Sequence, residues 1–125
     1  MLTLPLPTRI YLCTRRADLR KSFDGLAQLV REFLDADPLS GHLFVFCNKR
    51  GDRLKLLYWD EDGYMLCYKR LEAGTFAMPA ADATRAGAGD CGVTLRPAEL
   101  AMLLEGIELD NLKRRKRYRR PATGA

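Results

Sequence analysis

Residues 46–70, FCNKRGDRLKLLYWDEDGYMLCYKR, decide the fold of this chain. Apolar and polar residues alternate along much of this stretch, with the period of two that is typical of β-strands. Two short segments rich in Asp and Gly, KRGD and DEDG, interrupt the alternation, and such segments favour tight turns between antiparallel strands. Together with the apolar residues before it, the stretch predicts three consecutive antiparallel strands at residues 42–48, 53–60 and 64–70.

One face of this predicted sheet combines cations with aromatic and aliphatic groups. Successive side chains of a strand point to opposite faces, so four residues of the middle strand share the mixed face: Arg53, Lys55, Leu57 and Trp59. Aromatic rings beside cations are typical of surfaces that bind unpaired nucleic acid. Amphipathic helices must also bury their apolar sides, however, and a sheet can take one helix on each face. This packing argument favours a covered face, and a nucleic-acid platform is the alternative.

The segments around the three strands predict the remaining elements. Strand-forming runs predict short strands at residues 9–14, 75–79 and 91–95. Apolar residues recur at spacings of three and four over residues 18–34, and again over residues 97–109, which predicts two amphipathic helices. The sequence therefore predicts an α+β fold, in which an antiparallel meander sheet of about five strands packs against two helices.

The two predicted helices differ in how they begin. Asp18 can cap the first helix, because its carboxylate can accept from a free backbone N–H of the first turn. Gly25 lies inside the helical pattern and Asp24 precedes it, so a break near residues 23–25 is an alternative. Pro97 suits the first turn of the second helix, whereas Arg96 before it is a poor cap.

The positive charge of the chain is concentrated near its C-terminus. The segment KRRKRYRR, residues 113–120, contains seven cations and no acid, within a chain of net charge +5. The rest of the chain carries 14 of the 21 Lys and Arg residues against all 16 Asp and Glu residues. We therefore predict one nearly neutral domain, residues 1–112, and a basic, disordered tail, residues 113–125.

Nucleic-acid binding is predicted at the tail and at the hairpin tip of residues 48–53. A dense run of cations binds polyanions without regard to sequence, and the tyrosine in the tail can stack on a base. The predicted nucleic-acid-binding residues are Lys49, Arg50, Arg53, Lys55, Lys113, Arg114, Arg115, Lys116, Arg117, Tyr118, Arg119 and Arg120. For the hairpin tip, the alternative is an ordinary solvated turn in which Asp52 pairs with a neighbour. For the tail, the alternatives are a segment that only increases solubility and an acidic protein surface as the target.

Few residues suggest catalysis or a metal site. The four cysteines are separate, and three of them, Cys13, Cys47 and Cys67, fall in strand-like runs where a reduced thiol packs as a small apolar group. His42 is the only histidine and has no nucleophile motif beside it, and the acidic segment at residues 60–62 is explained by its place in a turn. We predict no catalytic residue, no metal and no cofactor. The lack of a secretory signal pattern and of a long apolar run predicts a cytoplasmic protein.

Three stretches resemble a known family: ADLRKSFDGLAQLV at residues 17–30, GHLFVFCNKRGDRLKLLYWDEDGYMLCYKRLEAGTFAMP at residues 41–79, and ELAMLLEGIEL at residues 99–109. They resemble the TnpB accessory proteins, the products of the second open reading frame in bacterial insertion sequences of the insertion sequence 66 family. The resemblance spans residues 6–109. It implies a role in transposition beside a larger transposase and a second small accessory protein, and it implies no catalytic residue.

Two functions remain open at this point. In the first, the protein holds DNA of the element, at its ends or without sequence preference, through its tail and the loop at residues 48–53. In the second, it is an adaptor whose apolar sheet face or leucine-rich second helix docks the transposase without contacting DNA.

Overall fold

The computed structural model describes residues 8–78 and 92–106. Within these ranges the chain forms, in order, β1 (Ile10–Cys13), α1 (Phe23–Phe33), β2 (Leu43–Cys47), β3 (Arg53–Asp60), β4 (Gly63–Arg70), β5 (Gly92–Leu95) and α2 (Pro97–Leu104). The five strands form one sheet in the order β4-β3-β2-β1-β5. The predicted α+β class, with a sheet of about five strands and two helices, is confirmed.

The sheet is mostly antiparallel but mixed. The pairs β2–β3, β3–β4 and β1–β5 are antiparallel. Strand β1 pairs with β2 in parallel, with Ile10 opposite Leu43, and the expectation of a purely antiparallel sheet is wrong at this pair. The reason is the helical connection between the two strands. Because α1 returns the chain from the end of β1 to the edge of the sheet where β1 begins, β2 starts at that edge and runs parallel to β1.

The predicted strand at residues 75–79 does not form over its described part, residues 75–78. Phe76 is buried, and its backbone N–H donates to the carbonyl of Gly51 at 2.8 Å. The apolar residues that predicted a strand therefore have a different role, because Phe76 places its ring in the core beside the β2–β3 hairpin.

Helix α1 begins at Phe23 and not at Asp18. The Asp18 carboxylate instead accepts the backbone N–H of Arg20 at 3.0 Å, which closes a separate turn before the helix. The later start agrees with the predicted break near residues 23–25. A Cβ added to Gly25 would lie 2.9 Å from the Cβ of Lys21, so glycine permits this turn to pack closely against the helix.

Helix α2 begins at Pro97, as predicted. Its start is stabilised by Glu99, whose side chain accepts the backbone N–H of Arg96 at 2.9 Å. The stabilising group is thus in the first turn of the helix and not in the preceding residue. The helix ends at Leu104, and residues 107–109 of the predicted helix lie outside the described residues.

Each face of the sheet carries one helix. On one face, Phe44, Phe46 and Leu57 are buried with residues of α1. On the other face, residues of β2, β3 and β5 are buried with Leu100 and Leu103 of α2. The covered-face prediction is therefore confirmed for the central strands, β2 and the middle of β3.

Replacing Phe46 by Ala tests this arrangement. Phe46 of β2 is fully buried in the core that the sheet forms with α1. We therefore expect Phe46→Ala to lower the free energy of unfolding by about 3–5 kcal/mol. The matched control is Phe23→Ala at the start of α1, where the phenyl ring is 41% exposed; there we expect a loss below about 1 kcal/mol. Urea denaturation measures both, and equal losses would contradict the two-sided core.

Candidate nucleic-acid interface

A cleft of about 270 Å³ lies between the β2–β3 hairpin and the segment that joins β1 to α1. We call it the basic cleft, and its lining residues are Ala17, Asp18, Leu19, Arg20, Asn48, Lys49, Arg50 and Arg53. Ala17 and Leu19 are buried and provide an apolar floor. The charged lining consists of four cations and one carboxylate, so the basic cleft suits an anionic ligand.

Asn48 organises the hairpin side of the basic cleft. Its side-chain oxygen accepts the backbone N–H of Arg53 at 3.0 Å, and its side-chain nitrogen donates to the carboxylate of Asp52 at 2.8 Å. Its backbone carbonyl accepts the N–H of Gly51 at 3.1 Å, where φ is +81°, a conformation that glycine adopts without steric cost. The loop that carries the two tip cations is therefore held by local hydrogen bonds.

Two hydrogen bonds to backbone carbonyls hold the opposite side of the basic cleft against the hairpin. The N–H of Ala17 donates to the carbonyl of Cys47 at 2.9 Å. The guanidinium of Arg16 donates to the carbonyl of Asn48 at 3.0 Å. These two bonds join positions about 30 residues apart in the chain, and they place the segment after β1 beside the hairpin tip.

Asp18 and Arg20 form an ion pair at the rim of the basic cleft. The guanidinium of Arg20 donates to both carboxylate oxygens of Asp18, with the shortest distance 2.9 Å. These hydrogen bonds hold the pKa of the Asp18 carboxyl well below its ordinary value and raise the pKa of Arg20. Both groups are therefore charged at neutral pH, and Asp18 already has a cationic partner.

The predicted binding residues of the hairpin lie in two different environments. Lys49 and Arg50 are exposed at the tip, and Arg53 is partly exposed; all three line the basic cleft. Lys55 is only 7% exposed, and its ammonium donates to the carbonyl of Lys21 at 3.0 Å. Lys55 thus joins the sheet to the segment before α1, and it does not line the basic cleft. The predicted tail residues 113–120 lie outside the described residues.

Sequence reasoning missed Arg20 as a lining residue of the basic cleft and Arg16 as a side chain that bonds the hairpin beside it. The signal was present as two pairs of adjacent cations, at residues 15–16 and 20–21. What the sequence could not reveal is that this segment lies against a hairpin about 30 residues later.

The described residues contain no group of three or more His, Cys, Asp or Glu side chains that could hold a metal ion. Cys13 and Cys47 are buried thiols outside any disulfide bond, as predicted for apolar thiols, and burial raises the pKa of the Cys47 thiol. Within residues 8–78 and 92–106, no helix has the length and apolar character needed to cross a membrane.

Comparison with known proteins identifies the family. Residues 8–114 match the family described as IS66 Orf2 like protein. The chain belongs to the IS66 Orf2-like family. This confirms the resemblance to TnpB proteins of the insertion sequence 66 family, and it places the chain among accessory proteins associated with transposition. The match covers both sides of the basic cleft.

Two curated relatives come from Sinorhizobium fredii. The chain is 38% identical to the uncharacterized protein y4jC over 107 residues, which is 86% of each chain. It is 39% identical to the uncharacterized protein y4hO over 100 residues, which is 80% of this chain and 81% of the relative. No solved structure matches the chain.

The pH dependence of stability tests the hairpin network. The hydrogen bond from Asn48 lowers the pKa of the Asp52 carboxyl below its ordinary value of 3.8. Because the folded state favours the charged form, this stabilisation is complete above the ordinary pKa and is lost as the pH falls through the lowered one. We therefore expect the urea midpoints of the wild type and Asp52→Ala to differ more at about pH 7 than at about pH 3. An equal difference at both pH values would contradict the network.

Proposed function

We propose that this protein is a non-catalytic accessory factor that binds DNA during transposition, through the basic cleft and the basic tail. The observation that carries the proposal is the charge of the basic cleft: four cations line it with one carboxylate, Asp18, which already pairs with Arg20. Among the lining residues, Lys49, Arg50 and Arg53 have no carboxylate partner. The Asp52 carboxylate of the same loop accepts from the Asn48 side chain and offsets part of the charge of Arg50 and Arg53. Phosphate groups of DNA supply the negative charge that this surface lacks.

The shape and composition of the surface support DNA as the ligand. Arginine presents a planar fork of donors that matches the oxygens of a phosphate, and three arginines line the cleft beside one lysine. Three of these cations lie on the hairpin side of the cleft, and Arg20, which pairs with Asp18, lies on the other side. Contacts to phosphates position a protein on DNA and carry no sequence preference of their own.

The adaptor hypothesis receives less support. Its two predicted docking surfaces were an apolar sheet face and the leucine-rich second helix. In the described residues, both central faces of the sheet are covered, and Leu100 and Leu103 of α2 are buried against the sheet. We therefore propose that the protein acts beside the transposase and the second small accessory protein by holding DNA of the same element.

A double substitution that removes two positive charges from the hairpin tip tests the basic cleft. We expect Lys49→Gln with Arg50→Gln to weaken DNA binding and to reduce the slope of log affinity against log salt by about 2, because each lost phosphate contact removes about 0.9. The matched control is Arg9→Gln with Arg96→Gln. These two arginines flank the paired residues Ile10 and Leu95, at the end of the sheet away from the hairpin.

Fluorescence anisotropy on a labelled duplex, over a series of salt concentrations, measures both double variants. An equal effect of the two pairs would show that only net charge matters, and it would contradict binding at the basic cleft.

Removing the tail is a separate test. If about five tail cations contact phosphates, truncation after Leu112 should reduce the salt slope by about 4–5. A variant with the residues of the segment 113–120 in a different order should bind as the wild type does, because the contact depends on charge and not on sequence. Unchanged affinity and salt slope in the truncated protein would remove the tail from the mechanism.

A further inference from the structure

The face of the sheet that α1 covers is open at its outer edge. Helix α1 covers Phe44, Phe46 and Leu57, whereas β4 lies at the edge of the described sheet. Tyr68 of β4 stands opposite Lys55 of β3, on this same face, and the residue is 52% exposed. An aromatic ring this exposed in the outer strand is the group that most needs a functional explanation.

The contacts of Tyr68 determine which surface of its ring is free. The ammonium of Lys55 lies 4.8 Å from the ring centroid. Because Lys55 is buried and bonded to the carbonyl of Lys21, it lies on the protein side of the ring. The exposed surface of Tyr68 therefore includes the opposite side, where a flat group can stack.

Tyr68 is also connected to the basic cleft. The guanidinium of Arg53, which lines the cleft, donates to the hydroxyl of Tyr68 at 3.3 Å. Arg70, two residues after Tyr68, stands opposite Arg53 in the sheet. The exposed ring of Tyr68 therefore lies next to Arg53, one of the cations at which we place phosphate groups.

We propose that Tyr68 stacks on an unpaired base of single-stranded DNA whose phosphates lie in the basic cleft. This inference rests on the proposed function and adds to it the strand state of the DNA. Stacking platforms beside cationic grooves bind single strands because every base has a flat face, whatever its identity. In an intact duplex these faces are occupied by neighbouring bases, so Tyr68 can contribute only where bases are unpaired.

The charge around the ring favours DNA over a protein partner. Arg53, Lys55 and Arg70 all lie beside Tyr68 on one face. Two carboxylates lie near these cations: Glu72 pairs with Arg70 at 3.0 Å, and Asp52 interacts with Arg53. A nucleotide supplies an aromatic face and a negative charge together, and both are complementary to this surface.

The test compares single-stranded and duplex DNA of equal length with the full chain. We expect Tyr68→Ala to weaken binding of a labelled oligothymidine by about 5- to 150-fold, the range found when one stacking residue is removed, and to change duplex binding by less than about twofold. Tyr68→Phe retains the ring and should keep most of the affinity. The matched control is Met65→Ala, which removes another exposed side chain of β4, from the opposite face.

Two measurements keep the test informative if Tyr68→Ala disturbs the fold. Trp59 is the only tryptophan, and its emission reports whether each variant keeps the native sheet. Independently, photo-crosslinking of wild-type protein to an oligonucleotide containing 5-bromouracil should modify Tyr68, as identified by mass spectrometry.

The outcomes separate this inference from the proposed function. Equal effects of Tyr68→Ala on single strands and duplex, equal losses for Tyr68→Ala and Tyr68→Phe, or crosslinks that avoid Tyr68 would overturn the stacking inference. If the substitutions at Lys49 and Arg50 still weakened duplex binding, the proposed function would stand without it. If the wild type bound neither form of DNA, both would fail.

Discussion

Strand β2 is buried along its whole length, Leu43–Cys47, on both faces of the sheet. A five-residue strand with no exposed position needs a layer on each side, and α1 and α2 supply those layers. Its position also requires a neighbour at each edge, which β1 and β3 provide. The end of β2 is therefore held in place, and the hairpin that follows it projects from a fully buried strand.

The basic cleft depends on this placement more than on any attraction between charges. Cations repel one another, so a cluster of them must be held together by other forces. Here the forces are the backbone hydrogen bond from Ala17 to Cys47, the bond from the Arg16 guanidinium to the carbonyl of Asn48, and the Asn48 bonds inside the hairpin. The free energy of folding thus maintains a concentration of positive charge that a polyanion can neutralise.

Lys55 and Tyr68 lie on the same face of the sheet, but Lys55 is buried and Tyr68 is exposed. The aliphatic stem of Lys55 lies within the protein, and its ammonium is satisfied by the carbonyl of Lys21. The ring of Tyr68 covers that ammonium and is itself exposed. The cation suggested by the sequence as a ligand contact is therefore structural, and the aromatic residue beside it is the exposed group.

The sequence by itself determined the local elements. The strands predicted at residues 42–48, 53–60 and 64–70 agree with β2, β3 and β4 to within one residue at each end, because alternation and turn residues act over a few neighbouring positions. The start of α2 at Pro97 was predicted for the same reason, and so was the clustering of Lys49, Arg50 and Arg53 at one hairpin.

Only the tertiary structure decided how these elements meet. The parallel pairing of β1 with β2, the burial of Lys55 and the position of Arg20 beside the hairpin all depend on contacts between residues about 30 positions apart. Such contacts follow from which surfaces the whole chain can bury together, and no short pattern in the sequence encodes them.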